Sequence, residues 1–123
     1  ALIERVERIA DFRDRIDVSQ VDAVELIRKQ LTAASPKTLV YLDPPYYYKG
    51  QRLYENHYTP EDHARLASLV STKLKCPWVV SYDDVPEIRA LYEAYPPIDY
   101  HLMYSARDAK KGREVMFVSP DLT

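Results

Sequence analysis

The apolar run Thr38-Leu39-Val40-Tyr41-Leu42 stops abruptly at Asp43-Pro44-Pro45-Tyr46. A short run rich in β-formers reads as a buried strand. Proline has no amide hydrogen for a ladder and fixes its own φ, so two in succession end the strand and stiffen the backbone beyond it. The chain is therefore committed to a rigid turn at a strand end. That turn presents one carboxylate, carbonyls with no competing N–H beside them, and an aromatic face. Such a set suits gripping a flat base through an exocyclic amino group.

The rest of the chain alternates helix and strand signals. Ile3, Val6, Ile9 and Phe12 form a helical stripe over residues 2–13, and Arg15-Ile16-Asp17-Val18 reads as a short strand. Ser19-Gln20-Val21-Asp22 has the form of a capping box with Asp in place of Glu. The helix behind it carries Val24, Ile27 and Leu31 on one face and ends before Ser35-Pro36. After the 38–42 strand comes a polar, tyrosine-rich loop over 47–58, long for such a connection. Thr59-Pro60-Glu61-Asp62 opens the next helix, with Thr59 as cap and acids in the first turn. Leu66, Leu69, Val70 and Leu74 are its buried stripe. Trp78 to Tyr82 is a strand. Asp84 is expected to cap a helix carrying Ile88, Leu91, Tyr92 and Tyr95, stopped by Pro96-Pro97. Ile98, Tyr100, Leu102 and Tyr104 alternate with polar residues, as in a half-buried strand. A last strand spans Glu114 to Val118.

Those final two strands have no helix between them and imply an antiparallel hairpin. The fold class expected is α/β: one domain over residues 1–123, with a partial Rossmann-like sheet of mostly parallel strands, covered by helices, and a C-terminal antiparallel hairpin.

Composition narrows the function. The chain has 123 residues, of which 46% are hydrophobic and 29% charged, as in ordinary soluble domains. No apolar stretch reaches membrane-span length, and the first residues lack the apolar region of a signal peptide. The single cysteine, Cys76, excludes an internal disulfide and reads as a small buried hydrophobe, which fits a reducing cytoplasm. A net charge of −2 shows no strong phosphate footprint. Two local basic clusters remain: Lys49 and Arg52 after the turn, and Lys110 and Lys111 within 107–113. His57, His63 and His101 have no metal-ligand spacing, and His63 in a helical first turn is expected at the surface. Only Gly50 and Gly112 exist, so no glycine-rich cofactor loop is possible within these residues.

In sheets of this kind ligands bind beyond the carboxyl ends of strands. Here the residues Val40-Tyr41-Leu42-Asp43-Pro44-Pro45-Tyr46-Tyr47 resemble the C-terminal half of a Dam-type DNA adenine-N6 methyltransferase. Leu53-Tyr54, Tyr58-Thr59, Asp62-His63 with Leu66-Ala67, Val80-Ser81-Tyr82-Asp83, and Tyr104-Ser105 leading to Arg113-Glu114-Val115 extend the resemblance over nearly the whole chain.

The resemblance implies a set of roles. Asp43 and the Pro44 carbonyl would accept hydrogen bonds from the target amino group. Pro45 would stiffen that turn, and Tyr46 would stack on a flipped adenine. S-adenosylmethionine would be the methyl donor, with Asp22 near its adenine and Asp43 beside it. Asp22 also fits as the acid of a helix cap. DNA would be the partner, contacted by Tyr46 and by at most two of Lys49, Arg52, Lys110 and Lys111. Neither metal nor membrane is implied.

The sequence also departs from the family. The glycine-containing donor loop, the N-terminal lysine motif and the target-recognition region are absent. The chain therefore reads as a fragment whose partner is the missing N-terminal half of the enzyme, inactive or weakly active alone. Two strands would be missing between 15–18 and 38–42, leaving an exposed edge or an orphan strand. Methyltransfer to RNA or to a glutamine side chain, and a non-catalytic relic that binds nucleic acid through the tyrosine loop and basic hairpin, remain alternatives.

Overall fold

The structure, a computed structural model, describes residues 1–33, 37–48, 55, 57–102 and 112–123. Four strands form one sheet: β1 (Val40–Leu42), β2 (Trp78–Asp83), β3 (Ile98–Leu102) and β4 (Gly112–Val118), in the order β1-β2-β4-β3. β1 and β2 are parallel, with Leu42 beside Val80. β4 runs antiparallel to both its neighbours, placing Glu114 beside Asp83 on one side and Tyr100 on the other. The expected C-terminal hairpin is present. Three of the four strands, β1, β2 and β3, run in one direction as expected and the last, β4, opposes them; because β4 inserts between β2 and β3, one pairing is parallel and two are antiparallel.

A parallel pair needs a crossover, and α3 (Pro60–Thr72) supplies it. Its start is fixed as the sequence indicates. The Thr59 hydroxyl accepts from the Asp62 amide at 3.2 Å, Asp62 accepts from the Thr59 amide at 2.9 Å, and Pro60 fills the first helical position. Spacing along the helix then turns Leu66, Ala67, Leu69 and Val70 inward. They meet alternate strand residues Val80, Tyr82, Val115 and Phe117 on one face of the sheet, with Tyr92 stacked on Phe117 at 5.0 Å. Cys76 and Leu74 are buried in the same core.

α2 (Ala23–Leu26) continues as a π-helical turn over Ile27–Leu31 and packs against α3. Ile27 is buried, with Val24 and Leu31 beside it, as the periodicity indicates. The cap differs by three residues. Asp22 is itself the N-cap, accepting from the Glu25 amide at 3.2 Å, so the box expected at Ser19 is not the helix start.

α4 (Pro86–Leu91) also starts later than expected. The residue before a proline is pushed to extended geometry and proline favours the first helical position. Val85 therefore takes the cap position, at φ −129° and ψ 149°. Asp84 instead accepts from Arg89 Nε at 2.6 Å, and that guanidinium holds its carboxyl below the usual range. Arg89 reaches Asp99 on β3 as well. Ile88 and Tyr92 are buried and Tyr95 packs edge-on to Trp78 at 4.8 Å, although the helix ends at Leu91.

The N-terminal expectations fail at the packing stage. α1 (Leu2–Ala10) forms, but none of its residues is buried. Residues 15–18 are not a strand, and Val18 is 92% exposed. A strand needs a neighbour for its backbone groups, and among the described residues none borders 15–18 or the outer edge of β1. The face of the sheet away from the helical core is open in part, with Tyr41 and Ile98 exposed. β3 is accordingly more exposed than the half-buried strand expected. Among the described residues no helix is long and apolar enough to cross a membrane.

Stability should follow this division. Ile88→Ala is expected to cost about 2–5 kcal/mol in urea unfolding, whereas Val6→Ala should stay within about 0.5 kcal/mol. Comparable losses would contradict the one-sided core.

Candidate active site

Parallel pairing of β1 and β2 brings their carboxyl ends together. Tyr41 and Asp43 are two residues apart and share the open face. Because Leu42 aligns with Val80, Ser81 falls beside Asp43. Its hydroxyl donates to Asp43 Oδ1 at 3.3 Å. Ser81 Oγ also lies 2.9 Å from the Tyr41 hydroxyl. A carboxylate only accepts, so the Ser81 proton points to Asp43 and Tyr41 donates to Ser81. The string aims a carboxylate that is otherwise exposed.

The residues after the prolines are pinned from β2 and β4. The Tyr47 amide donates to Asp83 Oδ1 at 2.9 Å. The Tyr46 hydroxyl donates to Glu114 Oε1 at 2.5 Å, and Tyr100 donates to Glu114 Oε2 at 3.3 Å. Burial, with Glu114 beside it, pushes the Tyr100 hydroxyl up to about 12, so it remains a donor at neutral pH. Tyr48 is exposed and hydrogen-bonds Glu87 on α4.

Beneath the turn lies His63, fully buried rather than at the surface. Its position follows the same 63, 66, 67, 70 spacing as the apolar stripe of α3. Nδ1 is 3.0 Å from the Tyr82 hydroxyl. The rings of Tyr47 and Tyr58 lie 5.1 and 5.2 Å from the imidazole. Burial lowers the His63 pKa against the pull of Asp83 and Asp62, which keeps the ring neutral. Burial raises the hydroxyls of Tyr58 and Tyr82.

The turn lines two cavities. One, of about 630 Å³, is lined by Asp22, Tyr41, Leu42, Asp43, Pro44, Pro45 and Tyr58 among others. The second, of about 310 Å³, is lined by Asp43, Pro44, Pro45 and Tyr46. Asp22 is thus both a helix cap and a cavity wall; the cap bond engages one of its two oxygens. Asp22 and Tyr58 also border a further cavity with His57 and Arg65.

The expected residues Asp22, Asp43, Pro44, Pro45 and Tyr46 come together here. Lys49, Arg52, Lys110 and Lys111 lie outside the described residues, as do Tyr104 and Ser105. Sequence reasoning gave no role to Ser81, Asp83 or Glu114, and misplaced His63. The signal was present in part: Ser81 and Asp83 are polar residues on alternate positions of an apolar strand. Among the described residues no three His, Cys, Asp or Glu side chains are grouped to hold a metal ion.

Comparison with protein families matches residues 1–107 to the model for D12 class N6 adenine-specific DNA methyltransferase. A search of curated proteins finds no match.

The neutral His63 makes stability pH-dependent. An unfolded histidine takes up a proton near 6.5, while the folded one resists it, so acidification favours unfolding. Stability attributable to His63 should be full above pH 6.5 and decline as the pH falls below it. His63→Gln, which keeps a polar group for Tyr82 without titrating, should flatten this part of the profile in urea unfolding at pH 7.5 and 5.5. An unchanged slope would refute the assignment.

Proposed function

Because the chain belongs to the D12 class N6 adenine-specific DNA methyltransferase family, we propose that the Asp43-Pro44-Pro45-Tyr46 turn methylates the amino group of an adenine flipped out of DNA. The carrying observation is that Asp43, Pro44 and Pro45 wall two cavities at once. A transfer between two bound molecules needs such a shared wall, with the acceptor nitrogen on one side and the methyl source on the other.

The chain's own groups suit the acceptor. The Asp43 carboxylate, aimed by Ser81, accepts a hydrogen bond from one amino N–H, and the Pro44 carbonyl accepts one from the other. Both bonds draw the nitrogen toward tetrahedral geometry and make its lone pair available. As the nitrogen's lone pair bonds the methyl carbon, the carbon–sulfur bond breaks and its electron pair stays on the donor's sulfur; the methylated nitrogen, now cationic, releases its extra proton to solvent. Tyr46 stacks on the base; stacking worth about 1–3 kcal/mol offsets much of the few kcal/mol that flipping costs.

S-adenosylmethionine, the donor implied by the family, supplies an electrophilic methyl group when bound. The residues present fit one flank of it. Asp22 offers a carboxylate oxygen for hydroxyl groups, with Val21, Leu42 and Leu66 as apolar walls and Tyr58 as an aromatic one. With two glycines in 123 residues there is no glycine-rich loop to close the other flank. We therefore read the chain as the acceptor half of the site, dependent on a second polypeptide segment for full donor binding. The edge of β1, which has no neighbour among the described residues, and the uncovered α1 support this reading.

A competing reading, a non-catalytic DNA binder, draws on the same lack of glycines. The two separate cleanly. Tritiated methyl transfer to DNA, with the glycine-loop segment supplied, should appear and fall at least about a hundredfold in Asp43→Ala. Tyr46→Ala should raise the KM for DNA about tenfold, in line with loss of one stacked base. No incorporation even with that segment, and DNA binding indifferent to both Asp43→Ala and S-adenosylmethionine, would favour the binder.

A further inference from the structure

Glu114 carries more than the framework requires. It is a carboxylate only 4% exposed, on a strand whose following residues Val115, Phe117 and Val118 are core. A buried charge is costly unless hydrogen-bonded. Directly opposite it on β2 is Asp83, itself 9% exposed. Like charges facing each other across a sheet are destabilising. Among the described residues neither carboxylate has an ion pair; each is satisfied by donors from the turn or the edge strand. Asp83 takes the amide of Tyr47, and Glu114 takes the hydroxyl of Tyr46. Two unfavourably placed carboxylates thus grip two consecutive residues of one turn.

From this geometry we propose that Glu114 is a positioning residue, holding the Tyr46 ring in the orientation that stacks on the target base. The inference rests on the reading of Tyr46 as the stacking residue. A tyrosine side chain swings about two torsions. At Tyr46 the backbone end follows two prolines and leads into the Asp83 bond, and the far end is tied by its hydroxyl to Glu114. Tied at both ends, the ring is held as one wall of the cavity that it shares with Asp43, Pro44 and Pro45. The second bond, from Tyr100 on β3, fixes the other Glu114 oxygen, so that the carboxylate does not rotate away from Tyr46. The ring's tilt is set by strands β3 and β4, remote in sequence from the turn. The family match over 1–107 stops short of Glu114. If packing alone mattered, a phenylalanine at 46 and an apolar residue at 114 would serve as well.

The test is a double-variant cycle on the full chain. Its probe is a single-stranded oligodeoxyadenylate carrying one 2-aminopurine, whose fluorescence reports stacking. Tyr46→Phe removes the tether while keeping the ring, and Glu114→Ala removes its acceptor. Each should weaken probe binding about tenfold, the scale of one hydrogen bond to a charged group. The double variant should be no worse than either single one, because both cut the same bond. Glu114→Gln, which keeps an acceptor oxygen, should recover most of the loss. Losses that multiply in the double variant, or a Glu114→Gln as poor as Glu114→Ala, would overturn the proposal and leave Glu114 a structural residue. If Glu114→Ala does not fold, Tyr100→Phe takes its place in the cycle, with the same non-additivity expected. Should the unaltered chain leave the probe unquenched, with Tyr46→Ala no different, the stacking reading itself fails; a tether that still shows as a shifted Tyr46 ring resonance in Glu114→Gln would then mark Glu114 as structural only.

Discussion

The parallel pairing of β1 with β2 is the constraint on which the site depends. Three residue pairs suffice: Val40 with Trp78, Tyr41 with Val79, Leu42 with Val80. Because side chains alternate, this register turns Val40 and Val80 into the core and leaves Tyr41, Asp43 and Ser81 together on the open face. A slip of one residue would exchange the faces, burying Tyr41 and sending Asp43 away from Ser81. The register is held by α3, whose capped start and buried stripe fix how the chain crosses from β1 to β2. Helix capping at Thr59 and carboxylate orientation at Asp43 are thus two ends of one mechanical connection.

β4 contributes the second constraint. β1 and β2 alone would hold the turn through its prolines and the Asp83 bond to the Tyr47 amide, with no acceptor from β4 for the Tyr46 hydroxyl. By entering antiparallel beside β2, β4 sets Glu114 level with Asp83, where both reach the turn. The insertion of β4 between β2 and β3 thus also pins the Tyr46 hydroxyl.

Local chemistry was the part of this molecule that could be read from the sequence. The Pro-Pro stop after Leu42, the Thr59 cap with Pro60, and the stripe through Leu66, Leu69, Val70 and Leu74 depend on near neighbours, and all appear as expected. What could not be read depends on partners remote in sequence. Residues 15–18 have strand-like composition, yet a ladder requires a second strand that composition does not announce. Asp84 has a good capping side chain, but the backbone bias before Pro86 moved the cap to Val85. His63 looked like a first-turn surface residue until Tyr82, nineteen residues on, gave its imidazole a buried partner. Glu114 is the extreme case: its meaning lies in a hydroxyl sixty-eight residues away. The site was therefore legible as a motif, through Asp43 to Tyr46, and illegible as a set of supports.

The two cavities beside the turn are built to different standards, and the difference bears on what the chain does. The smaller cavity is lined by a stretch whose side chains and backbone are tied to β2 and β4, the strands at the centre of the sheet. Preorganisation of that kind does not depend on a ligand being present. The larger cavity is lined also by Gln20 to Ala23, which lead from a segment that pairs with no strand among the described residues into α2. Asp22 is anchored there by its cap bond to the Glu25 amide, an exposed interaction worth about 1 kcal/mol, and by its carbonyl, which accepts from the Leu26 amide at 2.9 Å. On the proposed reading, the base side of the reaction is fixed by the fold of these residues, whereas the donor side gains its rigidity only when further structure packs against α1 and the edge of β1. A shared turn can hold that asymmetry, because the rigid element, Asp43-Pro44-Pro45, belongs to both cavities.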